Sequence, residues 1–334
     1  MANAWQTFLD YSLATGDKFF DSRASTSLGI AAFGTTGDIL GGAQKSLQEK
    51  LLGKWNDDIA WWAISMATGA EVYGNSAVMN ESVPYLNVAV KTWNQLLEPG
   101  QWDEGTCNGG IFWSRNREAA EENRALYKSS ITNTEFILLS GKLALLTGNR
   151  TYVDWATKVL AWMKTSGLIL PNNHIIDGAY APACTRKDIR EFTYTSGTLL
   201  GGLAYLYEAT KDSFWMTEAD KFLTASLEQF TVNDILIETF CERSANGCVR
   251  DTKSFKGQLA KGLGYLYRFS NNDAMKRRIQ TVIDASVTNM AAICDNAWNC
   301  PFSWLPSAIF NLCRNDILLM RYMTHRCQTG KGRV

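Results

Sequence analysis

The sequence predicts an all-α fold, an (α/α)6 toroid of helical hairpins carried by one domain over residues 1–334. Three observations predict it. An apolar stretch, a short polar turn and a second helical stretch recur along the chain. Some of these stretches are apolar around most of their circumference, whereas others are apolar on one face. Strand signals are weak, and only 6 prolines interrupt the chain. Helices buried all round, alternating with helices buried on one side, sort into an inner and an outer layer. Hairpins that close on themselves in two such layers make the toroid.

The turns fall, in order, at Thr15-Gly16-Asp17, Thr68-Gly69-Ala70, Thr147-Gly148-Asn149, Thr210-Lys211-Asp212 and Ser270-Asn271-Asn272. In three of them a glycine stands where a helix ends on a left-handed residue. An aromatic residue follows soon after, as in TGDKFF, TGAEVY and TGNRTY. Before the later turns lie FILLSGKLALL, TLLGGLAYLYEA and GQLAKGLGYLYRF, expected to be buried nearly all round, with glycines that allow close packing about a central axis. After the third turn YVDWATKVLAWMKTS is amphipathic, with Trp155, Val159 and Trp162 at helical spacing. A C-terminal helix around AIFNLCRNDILLMRYM brings the number of hairpins close to six. The turns are too far apart and too unevenly spaced for a short solenoid repeat. The long segments between hairpins, 96–130, 168–197 and 241–255, are the expected functional loops, gathered at one end of the toroid around a cleft.

Composition narrows the function. Lys+Arg and Asp+Glu both number 33, so the chain offers no basic footprint for nucleic acid and no acidic tail. Twelve tryptophans are divided between a large core and a groove whose rings stack on the flat faces of sugars. The two histidines, His174 and His325, are too few for an imidazole metal cage, and each reads as a surface or satisfied core residue. No cofactor or metal is expected. The 8 cysteines contain no CxxC; close pairs such as Cys241/Cys248 and Cys294/Cys300 read as disulfides of an oxidising compartment. Sequons at Asn80-Glu81-Ser82 and Asn149-Arg150-Thr151 agree with that reading. No apolar run is long enough to span a membrane. The opening MANAW reads as a mature chain restarted with an initiator Met. The expectation is a secreted or cell-wall-associated monomer.

The stretch KWNDDIAWWAISMATG carries the candidate chemistry. Asn56, Asp57 and Asp58 would suit a helix start, as a cap and as first-turn charges facing the helix dipole. Adjacent Cα atoms lie ~3.8 Å apart, and neighbouring side chains on a helix diverge. Two such carboxyls can reach the roughly 5–5.5 Å separation of a retaining glycosidase more easily than the wider gap of an inverting one. Trp61 and Trp62 follow four residues after Asp57 and Asp58, so each ring lies on the same side as its carboxylate, as a sugar-facing wall or as core.

WNDDIAWWAISMATGAEVYG also resembles the signature segment of glycoside hydrolase family 76, the endo-α-1,6-mannanases and related fungal cell-wall transglycosidases. The resemblance continues in CNGGIFWS, in the run from YKSSITNTEF to KTSGLI, in IIDGAY, in TYTSGTLLGGLAYLYEAT and in FKGQLAKGLGYL. It covers roughly residues 50–270, and the ends carry no motif of the family. The resemblance implies an (α/α)6 fold, retention of configuration, no metal, and an adjacent aspartate pair. Asp57 is then the nucleophile and Asp58 the acid/base. Asn108, Gly109 and Trp113 in NGGIFW, Asp177 in DGAY and Tyr194 in FTYTSG become candidates for the sugar cleft, along with Trp61 and Trp62. Tyr127 and Asn133 fit wall or core equally.

The expected reaction is endo-cleavage of α-1,6-mannan or mannooligosaccharides by double displacement. One alternative is a transglycosidase that moves an α-mannan or GPI glycan onto a cell-wall polysaccharide. The lack of a GPI-type hydrophobic tail points to the hydrolase. A non-catalytic mannan-binding protein would keep the aromatic cleft without needing both carboxylates. An enzyme acting on uronic-acid polymers would need more basic residues and histidines than this chain has.

Overall fold

The computed structural model describes residues 2–32, 37–40, 55–79, 83–115, 124–244 and 247–306. The first hairpin forms at its expected turn. Helix α1 (Ala2–Thr15) ends on Gly16, which adopts φ 76° and donates its N–H to Ser12 O at 2.8 Å; α2 (Asp21–Ala31) follows.

The second expected turn does not form. Helix α3 (Asn56–Tyr73) runs straight through Thr68-Gly69-Ala70 and ends at Gly74, with φ 97°. Gly69 is small for another reason. A Cβ there would stand 2.5 Å from Tyr85 Cδ1, so the glycine lets the Tyr85 ring lie directly on the helix backbone. The sequence signal for a C-cap and for close helix packing is the same residue.

A two-stranded ribbon of β1 (Val78–Met79) and β2 (Val83–Pro84) then leads into α4 (Tyr85–Gln95). Strand β3 (Tyr127–Ser129) precedes α5 (Ser130–Thr147), whose start is capped by the Ser129 side chain. Gly148, at φ 69°, ends α5. The Asn149 side chain accepts from Thr151 N–H at 3.0 Å and starts α6 (Arg150–Thr165). Strands β4 (Gly178–Tyr180) and β5 (Arg186–Asp188) complete an antiparallel three-stranded sheet in the order β3-β4-β5. With Met1–Ile169, Asp177–Ile189 and Tyr205–Lys211, these elements make the first of two compact units.

In this unit α3 packs against α1, α4 and α5, and α5 against α6. Helix α5 is buried from Ser130 to Ala144, as expected of an inner helix. Helix α6 buries one face through Tyr152, Val153, Ala156, Val159, Leu160, Trp162 and Met163, as expected of an outer one. Burying Lys142 in α5 requires partners for its charge. Its ammonium reaches Glu71 at 3.0 Å and the Tyr205 hydroxyl at 2.7 Å.

The second unit comprises Leu170–Ile176, Arg190–Ala204 and Asp212–Val334. Helix α7 (Thr193–Thr210) begins here, and its start is held by Glu238, which accepts from the Thr193 N–H and hydroxyl. Asp212 caps α8 (Ser213–Phe230), which is followed by a two-residue pairing of β6 (Thr231–Val232) with β7 (Ile235–Leu236) and by the single turn α9 (Thr239–Glu242). Helices α10 (Thr252–Phe269) and α11 (Asp273–Ile293) meet at the last expected turn, where Asn272 caps α11. Backbone meets backbone where Gly197 of α7 faces Gly262 of α10: a Cβ on Gly262 would stand 2.0 Å from Gly197 O. Helix α10 is not buried all round; it hides one face, including Leu259, Gly262, Leu263 and Leu266. Lys253 is exposed, whereas Lys256 is buried and pairs with Glu242 at 2.8 Å.

Cys241–Cys248 and Cys294–Cys300 are disulfides, as expected, and Cys107–Cys184 adds a third across 77 residues of sequence. His174 is a satisfied histidine: its Nδ1 lies 2.8 Å from Glu191, which raises its pKa. Among the described residues no helix is long and apolar enough to cross a membrane. The Asn80 sequon, the expected C-terminal helix, Cys313, Cys327 and His325 lie outside the described residues.

Candidate active site

The site grows from the first turn of α3. Trp55 is the N-cap, in extended conformation and without a capping side chain, so Asn56, Asp57 and Asp58 are the first three helical residues. The expected cap, Asn56, is fully buried and turned elsewhere. Its amide donates to Gln101 Oε1 at 2.8 Å and to Phe112 O at 2.9 Å, and its backbone N–H donates to Trp113 O at 2.9 Å. Arg115 completes the knot, donating to Gln95 O at 2.9 Å and pairing with Glu98. These bonds lock the loop 101–115 onto the helix start.

The lock aims one side chain at the pair. The Trp113 indole N–H donates to Asp57 Oδ2 at 2.8 Å. Trp113 is held by stacking on Trp55, with ring centres 4.2 Å apart and planes at 19°, and the Arg124 guanidinium lies over both rings. Its backbone N–H donates to Tyr127 O at 2.8 Å. The other face of this arrangement continues to Asp177: the Tyr127 ring lies edge-on to Trp113, and its hydroxyl donates to Asp177 Oδ2 at 2.7 Å. Burial and the Asp177 carboxylate push the Tyr127 hydroxyl far above its usual pKa, so it stays a donor.

Asn108 and Gly109 belong to the loop that presents Trp113. Asn108 is exposed, in a left-handed conformation at φ 56°. Gly109 and Gly110 pass under Trp102 and Trp162; a Cβ on Gly110 would stand 2.2 Å from the Trp162 ring. Lys128, fully buried, ties this loop from below by donating to Asp103 O, Thr106 O and Gly109 O at 3.0, 2.7 and 2.6 Å. The Cys107–Cys184 disulfide ties it from the side. Asn133 fixes its inner end, bonding both the N–H and the C=O of Ile111 at 3.0 and 3.1 Å, which makes it core support.

The other predicted residues separate. Trp61 is half-buried on the face of α3 that carries Asp57, whereas Trp62 is 7% exposed and part of the core. Tyr194 lies in the second unit, where its ring stacks on Phe255 at 3.9 Å and 4°.

Both aspartates are half-buried. Burial, and secondarily the charge of Asp58, pushes the Asp57 pKa up to about 7, against the pull of the Trp113 bond and the first-turn backbone N–H groups. A carboxyl raised this far next to a second one meets the condition for one of two acids to donate a proton while the other acts as a base or nucleophile. A third acid escaped sequence reasoning. Glu135 of α5 is fully buried, and burial followed by the charges of Asp57 and Asp58 raises its pKa well above the usual range. A glutamate inside a helix apolar on all sides was the available signal. Lys128, also missed, had none beyond its place beside a motif.

Residues 1–315 match the sequence profile described as glycosyl hydrolase family 76. A putative mannan endo-1,6-alpha-mannosidase of Schizosaccharomyces pombe is 29% identical over 263 residues, covering 78% of this chain and 56% of the relative. The mannan endo-1,6-alpha-mannosidase DCW1 of Saccharomyces cerevisiae is 35% identical over 212 residues, or 63% of this chain and 45% of the relative. The chain spans about half the length of the curated relatives it matches. Among solved structures, Dfg5 of Chaetomium thermophilum in complex with glucosamine superposes with a TM-score of 0.80 at 26% identity, covering 91% of this chain and 72% of that one. The GH76A α-1,6-mannanase of Salegentibacter superposes with a TM-score of 0.72 at 17% identity, covering 92% and 82%, a likeness of fold alone. The all-α (α/α)6 fold class expected from the sequence is the fold of these neighbours.

Proposed function

Because this chain belongs to glycosyl hydrolase family 76, we propose that it is a retaining endo-α-1,6-mannanase, secreted or cell-wall associated, with Asp57 and Asp58 as its catalytic pair. The observation that carries this reading is the Asp57 carboxyl at a helix start beside Asp58, bonded by the Trp113 indole and pushed up to about 7 by burial and the Asp58 charge. Curated relatives bear mannan endo-1,6-alpha-mannosidase names. An inactive Salegentibacter variant altered at two consecutive aspartates was solved with α-1,6-mannotriose.

In the proposed reaction Asp58 gives its proton to the departing glycosidic oxygen while Asp57 attacks the anomeric carbon. The C–O bond to the leaving sugar breaks, and an ester forms between Asp57 and the mannosyl residue. Asp58, now a carboxylate, takes a proton from the incoming water, whose oxygen displaces Asp57 and restores the α configuration. Trp61 and Trp113 would wall the sugar, with Asn108, Gly109 and Asp177 along the same loop cluster.

Two observations favour variants of this reading. The raised pKa of Asp57 suits exchanged roles, with Asp57 as the acid. The glucosamine held by the Chaetomium structure suits an amino-sugar-containing glycan partner, and so a transglycosidase in which a sugar hydroxyl replaces water. The test is digestion of linear α-1,6-mannan with the anomeric configuration of the products followed by NMR. Shortened chains that appear first as the α-anomer support the hydrolase. Lengthened chains select the transglycosidase, and no turnover or a β-product overturns the proposal.

A further inference from the structure

The loop that presents Trp113 contains consecutive residues of positive φ: Cys107 and Asn108 at 56°, Gly109 at 130° and Gly110 at 90°. Cys107 and Asn108 carry side chains, which disfavour this conformation, so contacts from outside the turn must hold it. Lys128 supplies them. It stands in β3, wholly buried, and its ammonium donates to Asp103 O at 3.0 Å, Thr106 O at 2.7 Å and Gly109 O at 2.6 Å. An ammonium has enough N–H bonds for one to each carbonyl. The Phe112 ring, from the same loop, lies 4.5 Å from that nitrogen. Carbonyl oxygens that converge on one point repel one another unless a cation stands between them. The curl of residues 103–109 therefore depends on the Lys128 charge.

The same strand fixes the far end of the turn. Tyr127 O accepts from the Trp113 N–H at 2.8 Å, and Asn133 bonds both backbone groups of Ile111 between the two anchors. Beyond them the Trp113 indole donates to Asp57 Oδ2 at 2.8 Å. We propose that Lys128 is a positioning residue for Asp57: its ammonium fills a nest of loop carbonyls as a bound monovalent cation would, and so sets the loop that brings the Trp113 indole to the Asp57 carboxyl. Lys158 offers a contrast, since it pairs with the Glu104 side chain of this loop from a half-exposed position. For catalysis the inference deepens the proposed role of Asp57 and rests on it.

The test reads hydrogen exchange at the tryptophan indoles by nitrogen-15 NMR and needs no substrate. Lys128→Ala empties the nest, and the Trp113 indole N–H should then exchange about tenfold faster or more. The Trp93 indole, bonded to Ser140 Oγ at 2.8 Å in the core, should keep its protection, which a general loosening would not allow. Added n-propylammonium replaces the carbons and the nitrogen that Lys128→Ala removes, so it should restore the protection of Trp113. Lys128→Met fills the space with an apolar group and should show the loss without the recovery. Lys158→Ala should leave Trp113 exchange within about twofold of the wild type. In mannan cleavage the amine should raise kcat/KM of Lys128→Ala and not of Lys128→Met. Unchanged Trp113 exchange in Lys128→Ala overturns the inference, as does a loss shared equally by Trp93 or one the amine does not reverse. Failure of the wild type to cleave mannan would instead overturn the proposed function and leave the exchange result standing.

Discussion

At the scale of single residues, Asp57 is bound by two opposed demands. Burial and the Asp58 charge push its carboxyl up to about 7 in the folded chain, against an ordinary value of ~4. A carboxyl with the higher pKa in the folded state binds more protons there, so its contribution to stability falls as pH rises from ~4 to about 7. Replacing Asp57 by Asn removes that dependence. We expect the Asp57→Asn protein to lose mannan cleavage by on the order of 10^4-fold or more, while its thermal midpoint at pH 7 exceeds that of the wild type. At pH 4 the two midpoints should converge; a variant less stable at both pH values would refute the stored cost. The adjacent aspartates were legible in the sequence because their spacing is covalent. The Trp113 bond was not, since a partner 56 residues away leaves no trace in spacing. Trp62 illustrates a related limit: two neighbouring tryptophans look alike as letters, yet the helix turns one into the core.

At the scale of elements, apolar runs and turn residues mark the hairpins, and the signal is clearest where a side-chain cap opens the second helix. Asn149, Asp212 and Asn272 each accept a first-turn N–H at a predicted boundary. It failed at Gly69, where no Asn or Asp stands after the glycine and the residue serves packing. That distinction gives a test. Gly69→Ala raises helix propensity, yet its methyl would collide with the Tyr85 ring. We expect a net destabilisation of about 1–3 kcal/mol in denaturant unfolding, whereas a solvent-facing turn would tolerate the change. The small strands β3 and β4 were not foreseen, since three-residue pairings carry no alternating pattern. They matter because their register sets Tyr127 across from Tyr180 and brings Ser129 beside Gly178, next to Asp177.

At the scale of the whole molecule, the disulfides differ in what they close. Cys241–Cys248 and Cys294–Cys300 span 7 and 6 residues and were readable as near neighbours, whereas Cys107–Cys184 joins positions 77 apart. In the chain-entropy view its loop is worth about 4 kcal/mol. We expect the Cys107→Ser/Cys184→Ser protein to unfold at clearly lower denaturant than the Cys241→Ser/Cys248→Ser protein; equal losses would contradict this ranking. The central claim, that an adjacent aspartate pair performs double displacement, is tested most directly by trapping the covalent intermediate. A fluorinated α-1,6-linked mannobioside with a good leaving group should inactivate the enzyme, and peptide mass spectrometry should find the sugar esterified to Asp57. A label on Asp58 would contradict the assigned roles, and inactivation without a label on either aspartate would contradict the account as a whole.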